Sequence, residues 1–153
     1  MNLIDRICVE ECNRFIRSVL SESETASNNR SVLLSIQPQF ADKIFNHTKK
    51  YEYRKVIFST DIKKVYVYSS SPVCKIIGYF IIDEIVQGSP STVWRKTSKY
   101  GGITREYFDD YFDKHDTAYA IKIKSVHLLK KPIEPKTIIK NFRPPQNFMY
   151  YDE

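Results

Sequence analysis

The segment 49–55, KKYEYRK, places four basic residues and one carboxylate within seven positions. Alternate residues of a strand share a face, which groups Lys50, Glu52 and Arg54 on one side and Lys49, Tyr51, Tyr53 and Lys55 on the other. Because one face must join the core, the two tyrosines are expected to be buried, leaving Glu52 and Arg54 on a surface or cavity wall. Arg54 suits phosphate, since its planar guanidinium donates to two oxygens at once. The alternative is a solvated edge strand that carries a surface ion pair.

Hydroxyl groups follow a second strand pattern, where Ser69, Ser70 and Ser71 precede Pro72. Three hydroxyls fixed by a proline at the end of a strand can donate to phosphates or to the edges of bases. We expect them at the floor of a cleft beside Glu52. An ordinary polar turn is the alternative.

Two further segments carry groups that suit nucleic acid. Lys99 and Tyr100 precede two glycines, and a base could stack on the tyrosine ring. The alternative is a helix that ends at glycine. Arg143 and Gln146 flank the prolines at 144–145, which fix both side chains either for recognition or for docking the tail.

Groups for other chemistry are sparse. Cys8 and Cys12 lie one helical turn apart without further ligands nearby, so they are interpreted as core packing and no metal site is predicted. The three histidines are scattered along the sequence, which gives no indication of a catalytic triad. With only four glycines, a glycine-rich phosphate loop is excluded, and no cofactor is predicted.

Charge and composition favour a polyanion partner. The net charge is +6, and the basic residues concentrate in 42–75 and 117–143, on either side of a more acidic stretch. One positive face is therefore expected, although a merely soluble basic protein fits equally well. No long apolar run predicts a membrane span, and the acidic residues near the start argue against a secretory signal. The odd number of cysteines points to a reducing cytoplasm.

The hydrophobic pattern predicts more strands than helices. Strands are expected at 32–36, 51–58, 64–69, 75–86 and 119–128, with a bulge or close backbone approach at Gly78. Helices are expected at 38–47, after Ser89-Pro90, and after Thr104, the last burying Tyr107, Phe108, Tyr111 and Phe112. The tail from Pro132 is expected to be loop with one short helical turn.

This order predicts an α+β fold, a small mixed β-barrel with flanking helices, because a doubly wound sheet needs strict alternation of strands and helices. The apolar stripe at 3–20 predicts an added N-terminal helix, and the polar stretch that follows predicts a linker. The domains are therefore expected to be 1–30, helix and linker, and 31–153, the barrel. Through 3–20 the chain could also associate with itself or with a protein partner.

Taken together, these segments resemble the ASCH family of the PUA-like superfamily, in the group labelled as predicted transcriptional regulators. The similarity covers roughly 32–150 and rests on Leu34-Ser35-Ile36 with Pro38, 44–55 (IFNHTKKYEYRK), 67–72 (VYSSSP), 77–80 (IGYF), Ser89-Pro90 with Trp94, 100–103 (YGGI), 119–122 (YAIK) and 144–146 (PPQ). The family usually has Gly where this chain has His47, which alters the turn between helix and strand.

The resemblance implies a barrel with a cleft, in a superfamily that mostly binds RNA or modified nucleobases. A related amidohydrolase, which deacetylates acetylcytidine, uses a Thr, a Lys and a Glu. Its Lys falls on Lys49, Glu52 takes the place of its Thr, and its Glu falls near the Gly101-Gly102 turn. Because a carboxylate cannot replace a hydroxyl nucleophile, that activity is not expected here. Ribonuclease activity is suggested for other relatives.

The leading prediction is therefore a nucleic-acid- or nucleotide-binding module, with RNA favoured. Its expected contacts are Lys49, Arg54, Lys55, Ser69, Ser70, Ser71, Lys99, Tyr100, Arg143 and Gln146. The first alternative is a hydrolase acting on RNA or a nucleoside, with Lys49 and Glu52 as a general acid/base pair. The second is a protein-interaction module that uses the N-terminal helix.

Overall fold

A computed structural model of the protein describes residues 30–153. The predicted N-terminal helix at 3–20, the pair Cys8 and Cys12, and nearly all of the predicted linker lie outside the described residues. The division of the chain into domains therefore stays a prediction.

The described part of the chain contains six strands and three α-helices. The strands are β1 (Arg30–Ile36), β2 (Tyr51–Arg54), β3 (Lys64–Ser69), β4 (Lys75–Gly88), β5 (Ala118–Ile133) and β6 (Met149–Asp152). The helices are α1 (Pro38–Phe45), α2 (Pro90–Thr97) and α3 (Arg105–Tyr111), with short 3-10 turns at Ser98–Tyr100 and Pro135–Thr137.

All six strands form one mixed sheet in the order β2-β5-β4-β3-β1-β6. Only the pair β1 and β3 is parallel, and the crossover between them carries α1 and β2. The register between β4 and its neighbours shifts at several points, one of them beside Gly78. A side chain at Gly78 would meet the His127 carbonyl oxygen and the Phe45 ring, so the predicted close approach of the backbone is confirmed. The mixed α+β fold is confirmed as well.

Side chains alternate between the two faces of the sheet along the central strands, so hydrophobic residues form a separate core on each face. In β1, Val32, Leu34 and Ile36 pack with α1 on one face of the sheet. Leu33 faces the other side, where the chain after β5 returns and buries Phe142 against the sheet. A third cluster packs α2 and α3 against β2 and β5 around the buried Phe108 ring. This third cluster supports β2, the strand that carries Glu52 and Arg54.

The ends of the helices follow from local sequence. Ser89 and Thr104 cap α2 and α3, each accepting a hydrogen bond from a backbone N–H two or three residues into the helix. Pro38 opens α1 at a position where its missing N–H costs nothing. After α1, His47 adopts a φ of 67°, the left-handed conformation in which helices usually place glycine. The turn between helix and strand is thus made with a histidine, at a position where the resemblance implies glycine.

Several predicted boundaries were wrong. Strand β2 ends at Arg54 rather than at 58, because its partner β5 pairs with it only along 119–122. Strand β5 runs to Ile133, and the tail contains β6, which pairs with β1. Tyr107, expected to be buried, is 38% exposed. In each case the decisive contact comes from a distant segment that the local pattern does not show.

None of the helices formed by residues 30–153 is long and apolar enough to cross a membrane.

Candidate functional site

A cleft of about 110 Å³ lies between the end of β1, the segment 49–54 and the start of α3. Its walls combine buried charges with aromatic rings. The lining residues are Ser35, Ile36, Gln37, Phe40, Lys49, Glu52, Tyr53, Arg54, Ile103, Tyr107 and Tyr111.

Three charged side chains of the segment 49–54 meet in this cleft although each is largely buried. Lys49 Nζ lies 3.9 Å from Glu52 Oε2, and Arg54 Nε lies 3.3 Å from Glu52 Oε1. The carboxylate of Glu52 is thus flanked by two cations, which leaves the group with a net positive charge. Burying three charged side chains costs free energy. Their presence beside a cleft therefore indicates a functional site.

Lys49 is buried beside Tyr53, with which strand alternation grouped it, and its ammonium also reaches Glu52, which was predicted on the other face. It precedes β2, so strand alternation does not apply, and its side chain turns into the cleft toward Glu52. The side-chain ammonium donates a 2.6 Å hydrogen bond to the Gly101 carbonyl and lies 4.8 Å from the centre of the Tyr53 ring. The side chain is 2% exposed. The expected burial of Tyr53 is confirmed, and Tyr51 lies half-buried at the edge of the same cluster.

Burial lowers the pKa of Lys49 from 10.5 to about 8. Glu52 opposes this shift, whereas the nearby cations Lys43 and Arg54 add to it. A lysine with such a pKa exchanges its proton close to neutral pH, which an ordinary surface lysine does not.

The turn at Gly101 and Gly102 is fixed by lysines from the segment 43–50. Lys49 and Lys43 donate to the carbonyls of Gly101 and Gly102, and the Lys50 N–H donates to the Tyr100 carbonyl. No side chain fits at either glycine, because a Cβ at Gly101 would meet the Tyr53 hydroxyl and one at Gly102 would lie 2.7 Å from that of Lys49. The glycines let this turn pack directly against the site.

Two buried hydrogen-bond donors at the cleft, Ser35 Oγ and Arg54 Nε, make no hydrogen bond within residues 30–153. The 3.3 Å approach of Arg54 Nε to Glu52 is close enough for an ion pair but lacks hydrogen-bond geometry. The rest of the guanidinium is held by the carbonyls of Ser35 and Asn147, at 2.8 and 3.4 Å. Buried donors are nearly always hydrogen-bonded, so two without a hydrogen bond at one cleft are an unusual feature of this site.

The structure brings only some of the sequence-predicted residues together. Lys49, Glu52 and Arg54 line the cleft. Tyr100 precedes Gly101, which holds Lys49, and Gln146 precedes Asn147, which holds Arg54. Beside the cleft, Lys55 lies 4.5 Å from the centre of the Tyr111 ring.

Other predicted residues lie away from it. Ser69, Ser70 and Ser71 do not line the cleft, so their expected place at its floor is not found. Ser69 is buried at the end of β3, beside Ile36 of β1, and the Ser70 N–H donates to the Ile36 carbonyl. That floor is supplied by β1 instead. Arg143 is exposed on the tail.

The cleft also contains residues that the sequence did not single out. Gln37 and Tyr107 form a 3.2 Å hydrogen bond across it. Ser35 was recognised only as part of a strand, although a hydroxyl within the apolar run 32–36 is a signal in itself. Within residues 30–153, no three His, Cys, Asp or Glu side chains come together as metal ligands.

The sequence is similar to that of an ASCH domain-containing ribonuclease from Zymomonas mobilis, at 27% identity over 130 residues. The match covers 80% of this chain and 85% of that protein. The crystal structure of ASCH from Zymomonas mobilis superposes with a TM-score of 0.76 at 26% identity, covering 81% of this chain and 89% of that one. These similarities support the predicted ASCH domain and show the PUA-like fold. No family model matches the chain.

Two further relatives come from Ureaplasma parvum and are matched only in part. An ATP synthase subunit alpha is 30% identical over 89% of this chain, which spans 16% of that protein. A large ribosomal subunit protein uL22 is 29% identical over 78% of this chain, which spans 38% of that protein.

Proposed function

We propose that this chain cleaves RNA and that the cleft around Lys49, Glu52 and Arg54 is its active site. The observation that carries the proposal is the buried Lys49–Glu52 pair, with a lysine whose pKa is lowered to about 8. Perturbed titratable groups that converge in a cleft are the usual mark of acid/base chemistry. The similarity to a protein named as a ribonuclease supports RNA as the substrate.

The chemistry that this pair can perform is transfer of the RNA phosphate to its own ribose. Glu52 takes the proton of the 2′-hydroxyl, and the 2′-oxygen forms a bond to the adjacent phosphorus. The bond from phosphorus to the 5′-oxygen breaks, and Lys49 donates a proton to that leaving oxygen. The products are a 2′,3′-cyclic phosphate and a 5′-hydroxyl, with Glu52 protonated and Lys49 neutral. A general acid and base each contribute about 10²–10⁴-fold to the rate of such reactions.

Two hydrogen-bond donors of the cleft are proposed to stabilise the phosphate during this reaction. Negative charge develops on the non-bridging phosphate oxygens as the 2′-oxygen attacks. Arg54 Nε and Ser35 Oγ are buried beside the pair and make no hydrogen bond within the described part of the protein, and Arg54 Nε is ion-paired with Glu52. Both can donate to those oxygens, and a fixed donor in a buried site stabilises charge more effectively than water does.

Nucleic-acid binding, the leading prediction from sequence, becomes the first step of this activity. Lys55, Lys99 and Tyr100, with Gln146 and Arg143 of the tail, are proposed to hold the strand on either side of the reacting phosphate. For Ser69, Ser70 and Ser71, contact with nucleic acid stays a prediction from sequence. A cytoplasmic location, membership of the group of predicted transcriptional regulators, and a protein partner at 3–20 also stay predictions.

Purified full-length protein is expected to cleave single-stranded RNA in the presence of EDTA and to leave acetylcytidine unchanged. Side chains supply both proton transfers, and the amidohydrolase's Thr position is occupied by Glu52, which offers no hydroxyl nucleophile. Gel analysis of labelled RNA and chromatography of the nucleoside measure the two reactions. Intact RNA after prolonged incubation would contradict the proposal, and release of cytidine would favour the amidohydrolase instead.

A further inference from the structure

Tyr100 is an exposed aromatic residue that directly precedes Gly101, the residue whose carbonyl holds Lys49. The residue is 45% exposed, whereas most aromatic residues of the neighbouring helices are packed into the third core cluster. Two ammonium groups lie over it, Lys50 Nζ at 4.7 Å and Lys99 Nζ at 5.5 Å from the ring centre. An exposed ring with cations beside it combines the two features that bind single-stranded nucleic acid, an aromatic surface for a base and positive charge for its phosphates.

The position of this ring relative to the cleft is fixed by the backbone. The Lys50 N–H donates to the Tyr100 carbonyl at 2.8 Å, and the next carbonyl along the chain, that of Gly101, accepts from Lys49. Lys49 and Lys50 thus hold consecutive carbonyls of one turn, and Lys43 holds the third. The Tyr100 ring and the Lys49 ammonium therefore belong to adjoining residues of the same contact between the two segments.

Further exposed lysines lie along β5, beyond Lys122, which is ion-paired with Asp83 and Glu84. The Lys50 carbonyl accepts from the Ile123 N–H at 3.0 Å, which places the exposed Lys124 beside it. Beyond residue 122, β5 pairs with β4 but not with β2, and this stretch also exposes Lys130 and Lys131. These lysines extend the path of a polyanion away from the cleft.

We infer that Tyr100, Lys50 and Lys99 form a stacking platform for an unpaired nucleotide that flanks the reacting phosphate. The preferred substrate is therefore single-stranded RNA that extends past the cleavage position, rather than a mononucleotide or a duplex. A paired base cannot use the platform, because its faces are occupied by its neighbours in the stack. The inference relies on the proposed function only for the phosphate at Lys49.

The test measures how tightly full-length protein binds a fluorescein-labelled single-stranded RNA. The RNA has about 12 nucleotides, within the usual site sizes of such proteins. The protein carries Glu52→Gln, which prevents cleavage during the measurement. Added to this parent, Tyr100→Ala is expected to weaken binding about tenfold or more, as the loss of one stacked base does. Tyr100→Phe should keep nearly full affinity. Tyr150→Ala is the matched control, because Tyr150 is 37% exposed and has Arg30 3.5 Å from its ring centre, yet lies on β6.

The salt dependence of RNA affinity distinguishes the contribution of the Tyr100 ring from that of Lys50 and Lys99. Loss of the ring should shift affinity equally at every salt concentration, whereas Lys50→Gln or Lys99→Gln should each reduce the salt slope by about 0.7. An abasic nucleotide scanned along the RNA should weaken binding to the parent at one position, and Tyr100→Ala should remove that difference. Unchanged affinity in Tyr100→Ala, or an equal loss in Tyr150→Ala, would overturn the platform.

The two proposals can fail separately. If wild-type protein leaves RNA intact while Tyr100→Ala loses binding as expected, the proposed cleavage is wrong and the platform stands. If RNA is cleaved but Tyr100→Ala binds and cleaves like its parent, the platform is wrong and the active site stands.

Discussion

Replacing Glu52 by Gln is expected to lower the rate of RNA cleavage at least about a hundredfold, the typical contribution of a general base. The amide keeps the size of the side chain but cannot accept the proton of the 2′-hydroxyl. Single-turnover cleavage of labelled RNA with excess protein measures this rate directly. Such conditions exclude product release and separate the chemical step from binding.

Glu84→Gln is the matched control, because Glu84 is an exposed carboxylate that also pairs with a lysine, 3.7 Å from Lys122 Nζ. It should cleave RNA at the wild-type rate. Since loss of the Glu52 charge leaves Lys49 and Arg54 without their counter-ion, thermal unfolding must confirm that Glu52→Gln is folded at the assay temperature. A folded Glu52→Gln variant with wild-type activity would remove Glu52 from the mechanism.

Cleavage by the wild-type protein is expected to fall as the pH rises above about 8, the pKa of Lys49. Lys49 donates a proton in the proposed step, and its protonated fraction falls tenfold for each pH unit above the pKa. The dependence of kcat/KM on pH reports this group in the free enzyme. The measurement is corrected for the spontaneous hydrolysis of RNA in alkali.

Two variants test whether Lys49 causes the fall in rate above about pH 8, which is the alkaline limb of the pH–rate profile. In Lys49→Arg the guanidinium stays protonated throughout this range, so the falling limb should disappear even if the rate at the optimum is lower. In Lys49→Met the rate should fall about a hundredfold with no limb near pH 8. A rate that rises through pH 8 in the wild type would show instead that the neutral amine acts as a base.

Much of this site could be predicted from the segment 49–55. Strand alternation correctly paired Glu52 with Arg54 and buried Tyr53, because these are local properties of a strand with one face in the core. The same rule grouped Lys49 with Tyr53, which its ammonium does contact, but it did not show the approach to Glu52, because Lys49 precedes the strand. The direction of a side chain just before a strand depends on the segment that it contacts. For Lys49 that segment is the turn at Gly101, whose carbonyl accepts its hydrogen bond.

The remaining parts of the cleft come from distant segments. The Ser35 hydroxyl, the Tyr107 side chain and the Asn147 carbonyl reach it from β1, α3 and the tail, respectively. Their positions depend on how the sheet is ordered, and β6 beside β1 was not evident in a run of only four residues. Side-chain alternation predicts which residues of a strand share a face, but it does not predict which other segments pack against that face.

The most direct measurement of the central claim is cleavage of an RNA strand in which one ribose at a mapped cleavage position is replaced by 2′-deoxyribose. The wild-type protein should fail to cleave at that position, cleave normally at the unmodified ones, and leave 2′,3′-cyclic phosphate and 5′-hydroxyl ends. Cleavage at the deoxyribose at an undiminished rate, or products that carry a 5′-phosphate, would contradict attack by the 2′-oxygen and with it the roles given to Glu52 and Lys49.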